Sequence, residues 1–270
     1  MADVVDSAKP ARNPSTDAWY RRSARWIART QLSRRVIGSV DGVHTRDPLF
    51  ALTFDDGPDP GVTPRILDAL DAHGATATFF MPAERALAAP ALAREVAARG
   101  HEIGVHGFTH TRLTEVPLRR FRHETGAARR EIARVVGVQP HWFRPPFGAQ
   151  NLRTYLATRA QGMDVAVWRT SVRDAVSTDG VDCAPGPDGA IVLRARGAEL
   201  TMPAGSIMLL HDTPAASDAE AGVDAARQRK VELVDRILDA VDRAGGRVVT
   251  VSELLRSGTP DRRVWRSAGY

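Results

Sequence analysis

From Leu49 onward, short apolar runs alternate with longer stretches whose apolar residues recur at helical spacing, the rhythm of strands followed by helices. Leu49 to Phe54 is the first run. Thr63 and Pro64 then supply an N-cap and a first-turn proline, Ile66, Leu67 and Leu70 form a helical stripe, and Gly74 closes it. The next units run from Ala75 to Phe80 into a helix ending before Gly100, and from Glu102 to Val105 into a long helix over Leu118 to Val136 that stops at Gly137. Later strands are predicted at His141 to Phe143, Met163 to Trp168, Ser206 to Leu210 and Arg247 to Val251. Thr178 to Pro187, rich in Gly, Pro and Asp, reads as a loop. Helices between successive strands imply parallel pairing with right-handed crossovers, hence a doubly wound sheet or a barrel. Both fold types present their sites at the C-terminal ends of the strands.

The N-terminal part has a different pattern. Residues 1–16 carry Pro10, Pro14 and little hydrophobic order, and read as a flexible lead-in. Over 17–45 a basic amphipathic helical segment is predicted: Trp19, Tyr20, Trp26, Ile27, Leu32, Val36 and Ile37 are interleaved with arginines from Arg21 to Arg35. Its apolar face is expected to dock on the domain; contact of residues 17–37 with a membrane surface is the less favoured reading. One α/β domain is predicted over 46–258, with a tail over 259–270.

Composition narrows the class. With 270 residues, 43% apolar and 26% charged, the chain is neither disordered nor collagenous. A formal charge of +5, almost all of it arginine because only Lys9 and Lys230 are lysines, raises the question of a polyanionic partner. The arginines are scattered among acids and show no aromatic-interleaved platform, so no nucleic-acid partner is expected. Cys183 is the only cysteine, which excludes an intrachain disulfide and a paired-thiolate zinc site, so a metal would need His and carboxylate ligands. No apolar run of signal-peptide or membrane-spanning length is visible; the expected location is cytoplasmic for the chain as it stands, and secreted if a leader has been removed from it.

Four predicted strands end in polar residues that ask for chemistry. Asp55 and Asp56 follow the first run and precede Gly57-Pro58; two adjacent acids in a desolvated site need a cation or proton between them, although a solvated turn would also accept them. His106 and His110 stand four apart after Val105, a spacing that on a helical turn lets both meet one ion. Arg144 opens the rigid turn Arg-Pro-Pro-Phe-Gly, which either fixes a guanidinium and aims a backbone N–H or serves structure alone. His211 ends the run Ile207 to Leu210 and is either a proton donor or a histidine at the edge of the core.

Taken in order, these segments resemble the NodB-homology polysaccharide deacetylases, also called carbohydrate esterase family 4, over residues 49–255. The resemblance implies a distorted (β/α) barrel with parallel strands and outer helices. It implies Asp56, His106 and His110 as ligands of a divalent metal, zinc by preference with cobalt or manganese as alternatives, and Asp55 as general base. Arg144 would orient Asp55, His211 would protonate the leaving amine, and the Phe147 N–H would hold the oxyanion, with Trp168 and Leu209 in the substrate pocket. Two departures stand out. Gly107 replaces a Ser or Thr between the histidines, which predicts a slightly looser site. In Ser171-Val172-Arg173-Asp174-Ala175 only Asp174 of an Asp-x-x-Asp-Trp pattern is kept, leaving it to pair with Arg144, while Ala175 reshapes the pocket wall.

The expected activity is metal-dependent removal of an N-acetyl group from an amino sugar in a chito-oligosaccharide, peptidoglycan or related glycan. The alternatives are an intracellular deacylase or deformylase of a small biosynthetic intermediate or glycoconjugate, and a barrel that binds carbohydrate without catalysis.

Overall fold

The computed structural model describes residues 38–172, 181–195, 198–214 and 222–263. In chain order the strands are β1 (Ser39–His44), β2 (Leu49–Asp55), β3 (Thr78–Met81), β4 (Glu102–Val105), β5 (Trp142–Phe143), β6 (Asp164–Val165), β7 (Thr170–Ser171), β8 (Asp182–Pro185), β9 (Ile191–Ala195), β10 (Ala198–Met202), β11 (Ile207–His211), β12 (Arg247–Val248) and β13 (Thr259–Arg263). The helices are α1 (Thr63–Ala72), α2 (Ala83–Ala88), α3 (Pro90–Ala98), α4 (Leu118–Val136), α5 (Leu152–Arg159), α6 (Val223–Arg243) and α7 (Val251–Arg256).

The main sheet is parallel, in the order β6-β5-β4-β3-β2-β11-β7, with β12 beside the first residues of β2. It curls into an incomplete barrel clothed by helices. β2 is buried along its whole length, which is why its sequence is a continuous apolar run and shows no alternation. The alternation reappears in the packing. Phe50, Leu52 and Phe54 join the large core between sheet and helices, with Phe79, Met81, Ile103, Val105, Phe143, Met208 and Leu210. Leu49 and Ala51 face the barrel interior with Phe80, Trp142, Ala166 and Ile207. Because side chains alternate along a strand, the interior face of β2 continues through Thr53 to Asp55. On β11 it continues through Leu209 to His211.

β1 partly closes the gap between the two ends of the sheet. It bridges Ala166 through Val40 and Ser206 through Gly42, with Val167 N–H donating to Val40 O and Val43 N–H to Gly205 O, each at 2.7 Å. It also pairs antiparallel with β13. This corrects two expectations. Residues 39–44 are a strand where the predicted helical segment ran to 45, because β-branched Val40 and Val43 are buried against the barrel and Gly38 and Gly42 weaken a helix. Residues 259–263 are a strand where a tail was expected; β13 has no apolar pattern and is held by its ladder and by ion pairs, Arg262 to Asp164 at 2.9 Å and Asp261 to Arg169 at 2.9 Å. The amphipathic reading of residues 17–37 lies outside the described residues.

A third correction concerns the loop expected over 178–187, whose later part is β8. It pairs antiparallel with β9, which pairs with β10. Its backbone is tied to α6, where Arg236 Nη1 donates to Val181 O at 2.7 Å and Arg243 Nη2 to Cys183 O at 3.1 Å. Among the described residues no helix is long and apolar enough to cross a membrane.

Candidate metal centre and active site

The interior faces of four strands converge on one mouth. Asp55 closes β2, and His211, its register partner, closes β11. His106 follows β4 with the parity that puts its ring inside, and Arg144 follows β5 with the same parity, two residues after the interior Trp142. The Arg144 guanidinium is fully buried. Its Nη1 donates to Asp55 Oδ1 at 2.8 Å and to Thr53 Oγ1 at 2.7 Å, and its Nη2 to Val167 O at 3.1 Å. It lies 4.0 Å over the Phe80 ring. Gly104 permits that layer: a Cβ there would meet the Phe80 ring at 2.4 Å.

Asp56 leaves the strand. Its φ of +74° turns the chain out of β geometry, and its Oδ1 comes to 3.4 Å from His106 Nε2 and 3.5 Å from His110 Nε2. One donor atom from each of these three residues lies within 4.8 Å of the others. The helical turn expected to carry the histidines is absent. His106 directly follows a strand, Gly107 turns at φ +85°, and His110 returns on a loop with its ring 5.2 Å from that of His106. The main chain braces this loop: Ala83 N–H donates to Gly107 O and Glu84 N–H to Phe108 O, each at 3.0 Å.

The donor set suits a divalent cation. His106 Nδ1 lies 2.8 Å from Arg144 O; donation of its N–H to that carbonyl leaves Nε2 as the ligand atom. Asp56 Oδ1 is buried without a hydrogen-bond partner, an arrangement that a cation would satisfy. Burial raises the Asp56 carboxyl, but the neighbouring imidazoles, His106 first, outweigh burial and hold it well below the usual range, so it is ionised as a ligand must be. Burial lowers His110. Two imidazoles and one carboxylate leave positions open, the pattern of a catalytic site.

A second carboxylate behind the triad was not foreseen as a site residue, although it directly follows His211 in the sequence. Asp212 is buried, Thr63 Oγ1 donates to its Oδ2 at 2.7 Å, and burial raises its carboxyl to about 7. Thr63 is therefore not the N-cap of α1. That position is Val62, with no side-chain cap. Gly57 is required here, because a Cβ would fall 2.0 Å from Asp212 Oδ2.

Phe147 occupies a left-handed turn at φ +60°, its ring 4.2 Å from that of His110. Trp168 packs on the same turn, where a Cβ on Gly148 would lie 2.8 Å from its ring. Leu209 is buried on the His211 face of β11, opposite Met208 and Leu210. Asp174, with Ala175, lies outside the described residues.

A parallel half-barrel carries a buried acid held by arginine beside a two-histidine and one-aspartate cluster whose donor atoms could hold a metal ion. Residues 42–166 match the polysaccharide deacetylase family. A peptidoglycan-N-acetylglucosamine deacetylase of Bacillus cereus is 33% identical over 216 residues, covering 79% of this chain and 91% of that protein. A chitooligosaccharide deacetylase of a Bradyrhizobium species is 31% identical over 226 residues, 82% of this chain and 95% of that protein. The crystal structure of a peptidoglycan N-acetylglucosamine deacetylase in complex with an N-oxidanyl-benzamide superposes with a TM-score of 0.65 at 28% identity, covering 81% of this chain and 93% of that one. The chain belongs to the polysaccharide deacetylase family, carbohydrate esterase family 4, and is by class a hydrolase of carbon–nitrogen amide bonds.

Proposed function

We propose that this protein removes the acetyl group from N-acetylated amino sugars within a glycan, peptidoglycan or chito-oligosaccharide, using a divalent cation, zinc by preference, on Asp56, His106 and His110. The observation that carries this reading is the placement of Asp55, held by Arg144, with its Oδ2 3.8 Å from His106 Nε2, beside the triad and in register with His211.

A cation held there supplies Lewis acidity, which polarises the acyl carbonyl and makes a water acidic enough to lose its proton near neutral pH. Asp55 takes that proton as the water oxygen bonds to the acyl carbon, and Arg144 keeps the carboxylate aimed while this happens. The Phe147 N–H donates to the oxygen that gains charge. His211 gives its proton to the sugar nitrogen as the carbon–nitrogen bond breaks, and the products are acetate and a free amine. Leu209 and Trp168 wall the pocket, and Asp174 is assigned to Arg144 as an orienting partner. No nucleic-acid partner is invoked.

Metal-stripped protein is assayed for acetate release from N-acetylglucosamine oligomers and partly acetylated peptidoglycan, with and without zinc, cobalt or manganese. Restored release in the wild type and its collapse by about 10²-fold or more in Asp55→Asn are expected for a lost general base. Cation binding without release from any glycan, or full activity in the variant, overturns the reading.

A further inference from the structure

The rim of the triad carries a cation that the hydrolysis described above does not use. Arg112 lies two residues beyond His110 on the loop between β4 and α4, and its guanidinium carbon sits 4.8 Å over the centroid of Phe147. That ring also meets His110, at 4.2 Å. The Phe147 ring thus meets both a histidine of the metal triad and a positive charge.

Three features make this charge available to a ligand. A guanidinium held over an aromatic face by a cation–π contact spends none of its N–H donors on that contact. Its carboxylate neighbour, Glu115, approaches Nε only to 3.6 Å and is 73% exposed, too far for a hydrogen bond and screened by solvent. The loop is also clamped: Arg153 Nη2 donates to Thr114 O and Val116 O, each at 3.3 Å. By contrast Arg144, the buried guanidinium of the site, is committed to Asp55, Thr53 and Val167 O.

We propose that Arg112 is a specificity-determining residue that receives an oxyanion, carboxylate or phosphate, carried by the glycan next to the sugar being deacetylated. The preferred substrate is then an acidic N-acetylated glycan. This rests on the deacetylase reading, and Phe147 links the two: its ring lies 4.2 Å from that of His110 and 4.8 Å from the Arg112 guanidinium, so a group bound to Arg112 sits close to the sugar held at the triad. The bidentate fork of arginine suits both oxyanions.

The test uses the full chain loaded with zinc and three N-acetylated oligosaccharides of equal length, one neutral, one bearing carboxylates and one bearing phosphates. Acetate release gives kcat/KM, and calorimetry gives Kd, for wild type, Arg112→Ala and Arg112→Lys. Wild type should favour an acidic glycan over the neutral one by about 10- to 100-fold, the worth of a charge-assisted hydrogen bond to a positioned group. That ratio should fall toward one in Arg112→Ala through KM and Kd more than kcat, return in part in Arg112→Lys, and shrink with added salt. The two acidic arms tell carboxylate from phosphate. A wild-type ratio near one, or a ratio that survives Arg112→Ala, overturns the proposal. Arg112-dependent binding of the acidic glycan with no acetate released from any of the three would support the assignment of Arg112 while refuting the deacetylase reading.

Discussion

Arg144→Lys separates what the buried guanidinium does for stability from what it does for Asp55. The native group meets Thr53 Oγ1, Asp55 Oδ1 and Val167 O at 2.7, 2.8 and 3.1 Å, and stacks 4.0 Å over Phe80. A lysine ammonium is a single point of donors on a flexible stem and serves one end of this array. If it keeps Asp55 and Thr53, Val167 O is left buried without its donor, at about 1–3 kcal/mol, and the stack on Phe80 is lost at about 0.5–2 kcal/mol. The sum, about 3 kcal/mol, corresponds to a drop in Tm of about 6–12 °C for a domain of this size. Asp55 loses its fixed aim, for which a fall in kcat of about 10- to 100-fold is expected, equivalent to about 1.4–2.7 kcal/mol of barrier. KM should change little, since a guanidinium with no exposed surface cannot touch a glycan. Thermal unfolding of the zinc-loaded protein gives the first quantity and acetate release at saturating glycan gives the others. An Arg144→Lys protein within 2 °C and twofold of wild type in both would refute the account of how Asp55 is held.

Two further outcomes follow from the same geometry. Zinc in about 100-fold excess over its Kd should stabilise the metal-stripped protein by about 2.7 kcal/mol, and Asp56→Ala or His110→Ala should abolish that gain; a zinc-dependent rise in Tm that persists in both variants would remove them from the ligand set. Burial lowers His101, whose ring lies tilted 5.4 Å from that of Phe79, from 6.5 to about 4. The unfolded chain therefore binds more protons between those values, and stability falls as pH drops from about 6.5 to about 4, by on the order of 3 kcal/mol. Urea midpoints at pH 7 and 4.5 should show a smaller loss in His101→Gln, and an identical loss in both proteins would assign the acid limb to other groups.

The strand and helix rhythm was legible because each βα unit states its own boundaries. α4 spans Leu118–Val136 and ends at Gly137 with φ +80°, as the stripe and the glycine indicate. The gathering of the candidate residues was legible because Asp55, Arg144 and His211 stand at or just beyond strand ends, where strand parity places them on the interior face. What escaped the sequence depends on distant partners. β1 and β13 are separated by almost the whole described chain, and neither carries a pattern that names the other. The hydroxyl of Thr63 reads locally as a cap, yet its partner is Asp212, 149 residues away. The i, i+4 spacing of the histidines fits a helix as well as it fits this loop. Arg112 looks like one more scattered arginine until the fold lays it on Phe147.

The pair Asp55 and Asp56 shows why neighbouring carboxylates can take unlike roles without sharing a proton. In an undisturbed strand consecutive side chains point to opposite faces, so one acid would enter the barrel and the other would be driven into the helix-covered core. The left-handed turn at Asp56 cancels that alternation. Asp55 stays in β geometry and buries against a guanidinium, while Asp56 swings toward the two histidines, and both reach His106 Nε2, at 3.8 and 3.4 Å. A positive φ is costly for a residue with a side chain, though least so for Asn and Asp. Gly57 then gives the chain room to pass Asp212, so the backbone of this turn, as much as its two acids, separates the proposed base from the proposed ligand.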